Sequence, residues 1–176
     1  MTKSLTTITF KLDLCINCLC LLNDAACRSK SGMAREKAAM DAGAEIANGS
    51  NDVRHLETVA NWKSARRRAL LRKNSEGATM AALDVARSGA EAAEKIRVLK
   101  SLDGVGVKMG SAILTAMYPE RYTVIDVRAL DSLGVRGHVD DFSLYPAYLE
   151  FCIATAADLG IPLRDFDRAL WKAGAA

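Results

Sequence analysis

The sequence has few aromatic residues, no long hydrophobic run and no sustained alternation of apolar and polar residues. Aromatic side chains make up 6% of the 176 residues, whereas alanine is abundant. The lack of alternation argues against amphipathic β-strands. Almost every segment instead repeats its apolar residues at intervals of three to four positions, as one face of an α-helix does. We therefore predict an all-α fold.

The apolar stretch over residues 12–22 is too short to span a bilayer, which requires about 20 apolar residues. Asp13 and Asn17 also interrupt it. As a secretory leader it lacks both a strongly positive flank and a clear Ala-x-Ala cleavage site. We therefore expect a cytoplasmic protein that does not insert into a membrane.

Neither sign of charge is strongly in excess. The formal net charge is +3, and 50% of the residues are hydrophobic while 26% are charged, which is typical of a globular protein. This charge permits nucleic acid as a partner without requiring it. Because a clear helix pattern begins at Ala34, we expect a loose extension over residues 1–32 and one helical domain over residues 33–176. There is no internal repeat and no low-complexity linker.

Four cysteines near the beginning of the chain form a Cys-x2-Cys-x-Cys-x6-Cys pattern: Cys15, Cys18, Cys20 and Cys27. Such spacing suits zinc or an iron–sulfur cluster. Free cysteines among leucines in an intracellular protein, however, usually pack as small hydrophobic side chains. We favour packing, and a cysteine-rich metal protein is the weaker alternative.

Two helix-patterned segments flank a glycine-containing turn within residues 91–117. The first segment ends near Ser101, and the second stops before Pro119. Gly104 and Gly106 in the turn allow positive φ angles and the close approach of an outside backbone. The second helix then begins with unpaired N–H groups. Together with the helix dipole, these groups favour the binding of a phosphate.

This segment resembles the helix-hairpin-helix motif, whose Leu-x-Gly-Val-Gly core is matched by four residues: Leu102, Gly104, Val105 and Gly106. Lys108 stands where DNA glycosylases of the endonuclease III and 8-oxoguanine glycosylase type carry their Schiff-base lysine. Asp126 follows eighteen residues later, after an apolar pair, much as the catalytic aspartate of that superfamily does. The sequence is thus similar to the helix-hairpin-helix DNA glycosylase superfamily over about residues 91–134.

The resemblance implies a two-lobed helical bundle that turns a damaged nucleotide out of duplex DNA into a pocket. It implies that Asp126 stabilises positive charge on the sugar. It further implies that Lys108 attacks the anomeric carbon, forming an imine that permits strand cleavage. A structural monovalent ion would be held by three backbone carbonyls of the hairpin, those of Lys100, Leu102 and Val105. No other cofactor is expected.

Lys108 and Asp126 also have simpler interpretations. A lysine in the first turn of a helix can bind a DNA phosphate by charge alone. Asp126 can be only the N-cap of a helix over residues 127–134, because aspartate is a preferred cap. For Asp126 the two roles are compatible, since a capping carboxylate is also fixed in position.

Residues 53–73 have the pattern of a long basic helix, for which a solvated face is the simplest interpretation. Lys63, Arg66 and Arg67, however, fall on the same side of this helix as its apolar residues. A break near Asn61 would resolve this conflict. So would a cleft that holds DNA. Pairing with acidic residues such as Asp165 or Asp167 is the structural alternative.

The resemblance implies a protein that binds double-stranded DNA and is similar to base-excision-repair glycosylases, with Lys108 and Asp126 as catalytic residues. The alternative is a non-enzymatic helix-hairpin-helix DNA-binding module without a base pocket. The residues predicted to contact DNA are Gly104, Val105, Gly106, Lys108, Lys63, Arg66 and Arg67.

Overall fold

A computed structural model describes residues 9–12, 29–135 and 143–174, and every regular element in these ranges is helical. The elements are α1 (Lys30–Ala47), α2 (Val53–Lys63), a 3-10 turn (Ala65–Arg67), α3 (Arg68–Leu71), α4 (Glu76–Arg87), α5 (Ala92–Leu99), α6 (Val107–Met117), α7 (Val127–Ser132), α8 (Leu144–Asp158) and α9 (Leu163–Ala173). The all-α prediction is confirmed for these ranges. The four cysteines of the Cys-x2-Cys-x-Cys-x6-Cys pattern lie outside them. Among the described helices, none combines the length and the apolar character needed to cross a membrane.

Several helices begin at a polar side chain that accepts a hydrogen bond from the first turn. The capping residues are Ser29 for α1, Asp52 for α2, Ser75 for α4 and Asp126 for α7. Each satisfies one of the N–H groups that a helix leaves unpaired at its start. Because of the Ser29 cap, α1 begins at Lys30 and not at Ala34 as predicted, so the expected domain boundary at residue 33 lies inside this helix.

The predicted continuous helix over residues 53–73 is wrong, because the chain leaves the helical conformation at Ser64. A 3-10 turn and the single turn of α3 follow. An unbroken helix would have turned basic side chains toward the apolar face. With the break, Leu71 is fully buried while Arg66 and Arg67 are exposed. Of the predicted arrangements, a break is thus confirmed, three residues later than expected.

Helix α6 forms the centre of the fold, since all of its residues except Lys108 are buried. Helix α1 packs directly against it. A Cβ atom placed on Gly43 of α1 would lie 2.1 Å from the carbonyl oxygen of Ala116, so any larger residue would push the two helices apart. The close packing of α1 on α6 fixes one wall of the cavity described below.

Candidate functional site

An extended buried segment, residues 122–126, connects the region after α6 to α7 and is held by three helices. The hydroxyls of Tyr145 and Tyr148 on α8 donate to the carbonyls of Thr123 and Val124, at 3.0 and 3.1 Å. The hydroxyl of Ser111 on α6 accepts a hydrogen bond from the N–H of Ile125 at 3.2 Å. Asp167 on α9 accepts one from the N–H of Val124 at 3.4 Å. These hydrogen bonds satisfy backbone groups that a neighbouring strand would pair in a β-sheet. They also fix the position of Asp126.

Asp126, at the end of this segment, makes two different contacts through its two carboxylate oxygens. Oδ1 accepts a hydrogen bond from the N–H of Ala129 at 3.0 Å and so caps α7. Oδ2 lies 2.6 Å from Nζ of Lys63, the last residue of α2. The side chains of Lys63 and Asp126 are only 15% and 11% exposed, so water screens this ion pair weakly.

The ion pair lies in the wall of a cavity of about 570 Å³ between α1, α2 and α9. Five basic and three acidic side chains line the cavity, which favours an anionic ligand. Its charged residues are Arg35, Glu36, Lys63, Asp126, Arg164, Asp167, Arg168 and Lys172. The volume falls in the ordinary range for small-ligand sites.

Glu36 of α1, which also lines the cavity, is bound by two arginines of α9. Nε of Arg168 lies 2.8 Å from Oε1 of Glu36, and Nε of Arg164 lies 3.3 Å from the same oxygen. Burial opposes the ionisation of Glu36, but the charge of Arg164 and the hydrogen bonds from Arg168 outweigh it and lower the pKa of this carboxyl. Glu36 therefore stays ionised and links the first and last described helices.

The pKa of Asp167 shifts in the opposite direction to that of Glu36, although Asp167 also pairs with Arg164. Its complete burial raises the pKa of the carboxyl, and the opposing charges of Arg164 and Lys63 only partly compensate. Burial likewise acts against the charge of Arg164. The carboxylates of Asp167 and Glu36 nonetheless raise the pKa of its guanidinium.

Both tryptophans of the chain, Trp62 and Trp171, line the cavity. The guanidinium of Arg164 lies 5.1 Å from the centre of the Trp62 ring, and that of Arg128 lies 4.4 Å from the centre of the Trp171 ring. Such cation–π contacts hold the rings in place. Trp171 is 46% exposed, so part of its ring is accessible to a planar group in the cavity.

The turn over residues 100–106 joins α5 to α6 and packs against the basic segment. Gly104 adopts a φ angle of +87°, which strains any residue with a side chain. A Cβ atom on Gly104 would lie 3.0 Å from Cβ of Leu70 and 3.2 Å from the carbonyl oxygen of Arg67. Asn74 secures the turn, because its side chain accepts from the N–H of Asp103 at 2.7 Å and donates to the carbonyl of Asp103 at 3.1 Å.

At the start of α6, Gly106 faces open space, since a Cβ atom placed there would meet nothing within 4 Å. Lys108, two residues later, is partly exposed, and the structure does not place it among the described residues that line the cavity. Its backbone carbonyl accepts a hydrogen bond from the Ser111 hydroxyl at 3.1 Å. The same hydroxyl accepts from Ile125, so the first turn of α6 is tied to the segment that ends at Asp126.

The predicted ion ligands Lys100, Leu102 and Val105 all belong to this region. The Leu102 carbonyl already accepts the N–H of Val105 at 3.1 Å, and its second lone pair is still able to bind an ion. No group of three histidine, cysteine or acidic side chains suited to a metal occurs in the described ranges. A monovalent ion at the hairpin therefore stays a prediction that involves backbone oxygens alone.

The predicted site residues thus fall into two neighbouring groups. Lys63 and Asp126 come together in the cavity, although they were predicted for different roles. Gly104 and Arg67 come together at the turn. Arg66 and Arg67 do not line the cavity or pair with Asp165 or Asp167 in the contacts that the structure describes. Those acidic residues instead bind Arg168 and Arg164 of their own helix.

Sequence reasoning missed the part of the cavity contributed by Glu36, Arg164 and Arg168. The signal available was the spacing of basic and acidic residues three apart in α9, which is typical of pairs on one helix face. The pairing with Glu36 spans 128 residues and leaves no local pattern. No protein-family model, no curated protein and no solved structure matches the chain.

Proposed function

We propose that this protein binds double-stranded DNA and removes a base from it, as the DNA glycosylases that its sequence resembles do. In this proposal the turn over residues 100–106 is a helix-hairpin-helix turn that contacts phosphates together with Lys108, Arg66 and Arg67. The cavity at Asp126 receives a nucleotide turned out of the duplex. The observation that carries the proposal is the adjacency of the turn, the exposed arginines and the cavity.

Two contacts account for this adjacency. The carbonyl oxygen of Arg67 lies 3.2 Å from where a Cβ atom on Gly104 would stand, so the exposed segment that contains Arg66 and Arg67 lies beside the turn. Ser111 connects the carbonyl of Lys108 to the N–H of Ile125, the residue before Asp126. A phosphate held at the start of α6 would therefore lie next to a cavity large enough for a nucleoside. An open helix N-terminus beside exposed arginines is suited to a DNA phosphate.

The cavity offers chemistry suited to a departing base. Both carboxylate oxygens of Asp126 are held by contacts, so the group does not have to reorient when positive charge develops on a sugar. Asp126 would therefore stabilise an oxocarbenium-like transition state. Trp171, partly exposed in the cavity wall, would stack on the displaced base through the side of its ring that Arg128 leaves uncovered. Excess basic charge around the cavity would attract the flanking phosphates. A lysine then supplies the nucleophile for the lyase step.

The non-enzymatic DNA-binding module is the second candidate, and one observation favours it. Lys108, the lysine predicted to attack the sugar, is not among the lining residues of the cavity. In that case the turn and the arginines would bind phosphates while Asp126 and Lys63 would only stabilise the fold.

The binding part is tested by fluorescence anisotropy with a labelled duplex over a series of salt concentrations. The slope of log affinity against log salt should correspond to a few phosphate contacts, about 0.9 per contact. Arg66→Gln/Arg67→Gln should reduce the slope by about two contacts. Lys37→Gln/Arg54→Gln, which removes two exposed charges elsewhere, should leave it nearly unchanged. No binding by the parent protein at low salt would end both candidates.

Base removal is tested separately on duplexes that each carry one modified base. If the protein is a glycosylase, the parent protein should release at least one such base, and Asp126→Asn should not release it. If it is a non-enzymatic DNA-binding module, it should bind these duplexes without releasing any base in the panel.

A further inference from the structure

We infer that Lys63, and not Lys108, is the amine that attacks the sugar. The inference rests on the proposed function and names the nucleophile of the same site. Its basis is a juxtaposition in the cavity, where Nζ of Lys63 lies 2.6 Å from Oδ2 of Asp126. The carboxylate that stabilises charge at the anomeric carbon must lie beside that carbon. An amine in contact with this carboxylate is therefore within reach of the same atom.

The local fold directs Lys63 into the cavity and keeps it there. Helix α2 ends at this residue, and Ser64 then turns the chain away, so the lysine side chain leaves the helix at its end. The residue before it, Trp62, lines the same cavity and is stacked against Arg164. The Lys63 side chain is only 15% exposed, and it lines the cavity. Sugars that enter the cavity would approach this amine directly.

Lys108 has different surroundings. It belongs to the first turn of α6, beside the open position of Gly106, and it is the one residue of that helix that is not buried. This position suits a contact with a phosphate outside the cavity. In this inference Lys108 keeps the phosphate contact, and Lys63 takes the nucleophile role that the resemblance implies for Lys108.

The step balances with two protons, each relayed in turn through Asp126. Asp126 accepts a proton from the Lys63 ammonium, and the neutral amine attacks C1′ as the glycosidic bond breaks. The departing base takes that proton from Asp126 as the bond breaks, so Asp126 is again a carboxylate when positive charge develops on the sugar. The carboxylate then removes a proton from the new secondary ammonium and delivers it to O4′ as the C1′–O4′ bond opens, which leaves the imine. The Asp126 carboxylate then takes a C2′ proton as the C3′–O bond breaks and the 3′ phosphate leaves, and water later hydrolyses the imine and releases the lysine.

Borohydride trapping with a duplex containing an abasic site tests the assignment, since it reduces the imine to a stable amine. Lys63→Arg keeps a cation beside Asp126 but cannot form the imine, so it should fold and lose trapping. Lys63→Gln should also lose trapping, and thermal unfolding will show whether each variant is folded. Lys108→Gln should bind DNA more weakly yet be trapped at saturating protein concentration. Lys37→Gln should behave like the parent protein.

Mass spectrometry of the trapped parent protein gives a second readout that does not depend on any variant folding. The reduced sugar adduct should lie on the peptide that contains Lys63, where it also blocks tryptic cleavage. An adduct on Lys108, or undiminished trapping of folded Lys63→Arg, would overturn the inference and leave the proposed function standing. No trapping and no base release by the parent protein would instead overturn the proposed enzyme itself.

Discussion

The two oxygens of Asp126 have separate partners, and substitutions can therefore separate their contributions. Asparagine at this position can still cap α7 through its amide oxygen, but it leaves the Lys63 ammonium in a poorly hydrated place without its counter-charge. Glutamine at position 63 creates the reverse defect. When one member of a buried ion pair is removed, the remaining charge causes most of the loss of stability.

We therefore predict strong coupling between positions 63 and 126. Asp126→Asn and Lys63→Gln should each lower the free energy of unfolding, while the double variant should lose less than the sum, with a coupling of about 2 kcal/mol. Asp126→Ala should be less stable than Asp126→Asn by about 1 kcal/mol, because it also removes the cap. Urea unfolding of the four proteins of the cycle measures this coupling. Additive losses would mean that the contact contributes nothing beyond its separate residues.

The sequence predicted the structural role of a residue where neighbouring residues determine that role. Aspartate followed by a helix pattern indicated the cap at position 126, which the structure confirms. The conflict between basic and apolar residues after position 53 indicated a break, which occurs at Ser64. The pairing of Lys63 with Asp126 joins residues 63 positions apart, and local periodicity does not contain such information. For the same reason, the sequence did not indicate the contribution of α1 and α9 to the cavity.

At the scale of elements, the turn between α5 and α6 contains two glycines with different surroundings. Gly104 has a φ angle of +87° and lies against Leu70 and Arg67. Gly106 has a φ angle of −102°, which any residue adopts, and open space where a side chain would go. One glycine is thus required by the fold, whereas the other leaves the start of α6 accessible.

This contrast predicts opposite effects of the same substitution. Gly104→Ala should lower the free energy of unfolding by about 1–2 kcal/mol, because alanine is strained at positive φ. Gly106→Ala should fold as stably as the parent protein but bind duplex DNA more weakly, since its methyl group would occupy the approach to the helix N-terminus. Thermal unfolding and anisotropy on the two variants distinguish these effects. Equal DNA affinity for Gly106→Ala and the parent would place the phosphate contact away from this turn.

At the scale of the whole molecule, charged contacts join the first and last of the described helices. Glu36 of α1 binds Arg164 and Arg168 of α9, and Arg164 also binds Asp167 of its own helix. The two carboxyls have pKa values shifted in opposite directions, because Glu36 is stabilised by two arginines while Asp167 is dominated by burial. Lowering the pH should therefore destabilise the fold through Glu36 and stabilise it through Asp167.

The lowered pKa of Glu36 means that its ionised form is favoured by folding, so its contribution to stability is present above its ordinary value of 4.5. That contribution is lost as the pH falls from 4.5 through the lower pKa of the folded state. Glu36→Gln should therefore be less stable than the parent protein at pH 7, and the difference should narrow below pH 4.5.

The raised pKa of Asp167 predicts the opposite trend. Relative to Asp167→Asn, the parent protein should gain stability as the pH falls through that raised pKa toward 3.8. Urea unfolding of the three proteins at a series of pH values between 7 and 3 measures both differences, and a constant gap between the parent protein and Glu36→Gln would show that its pairing with α9 does not stabilise the fold.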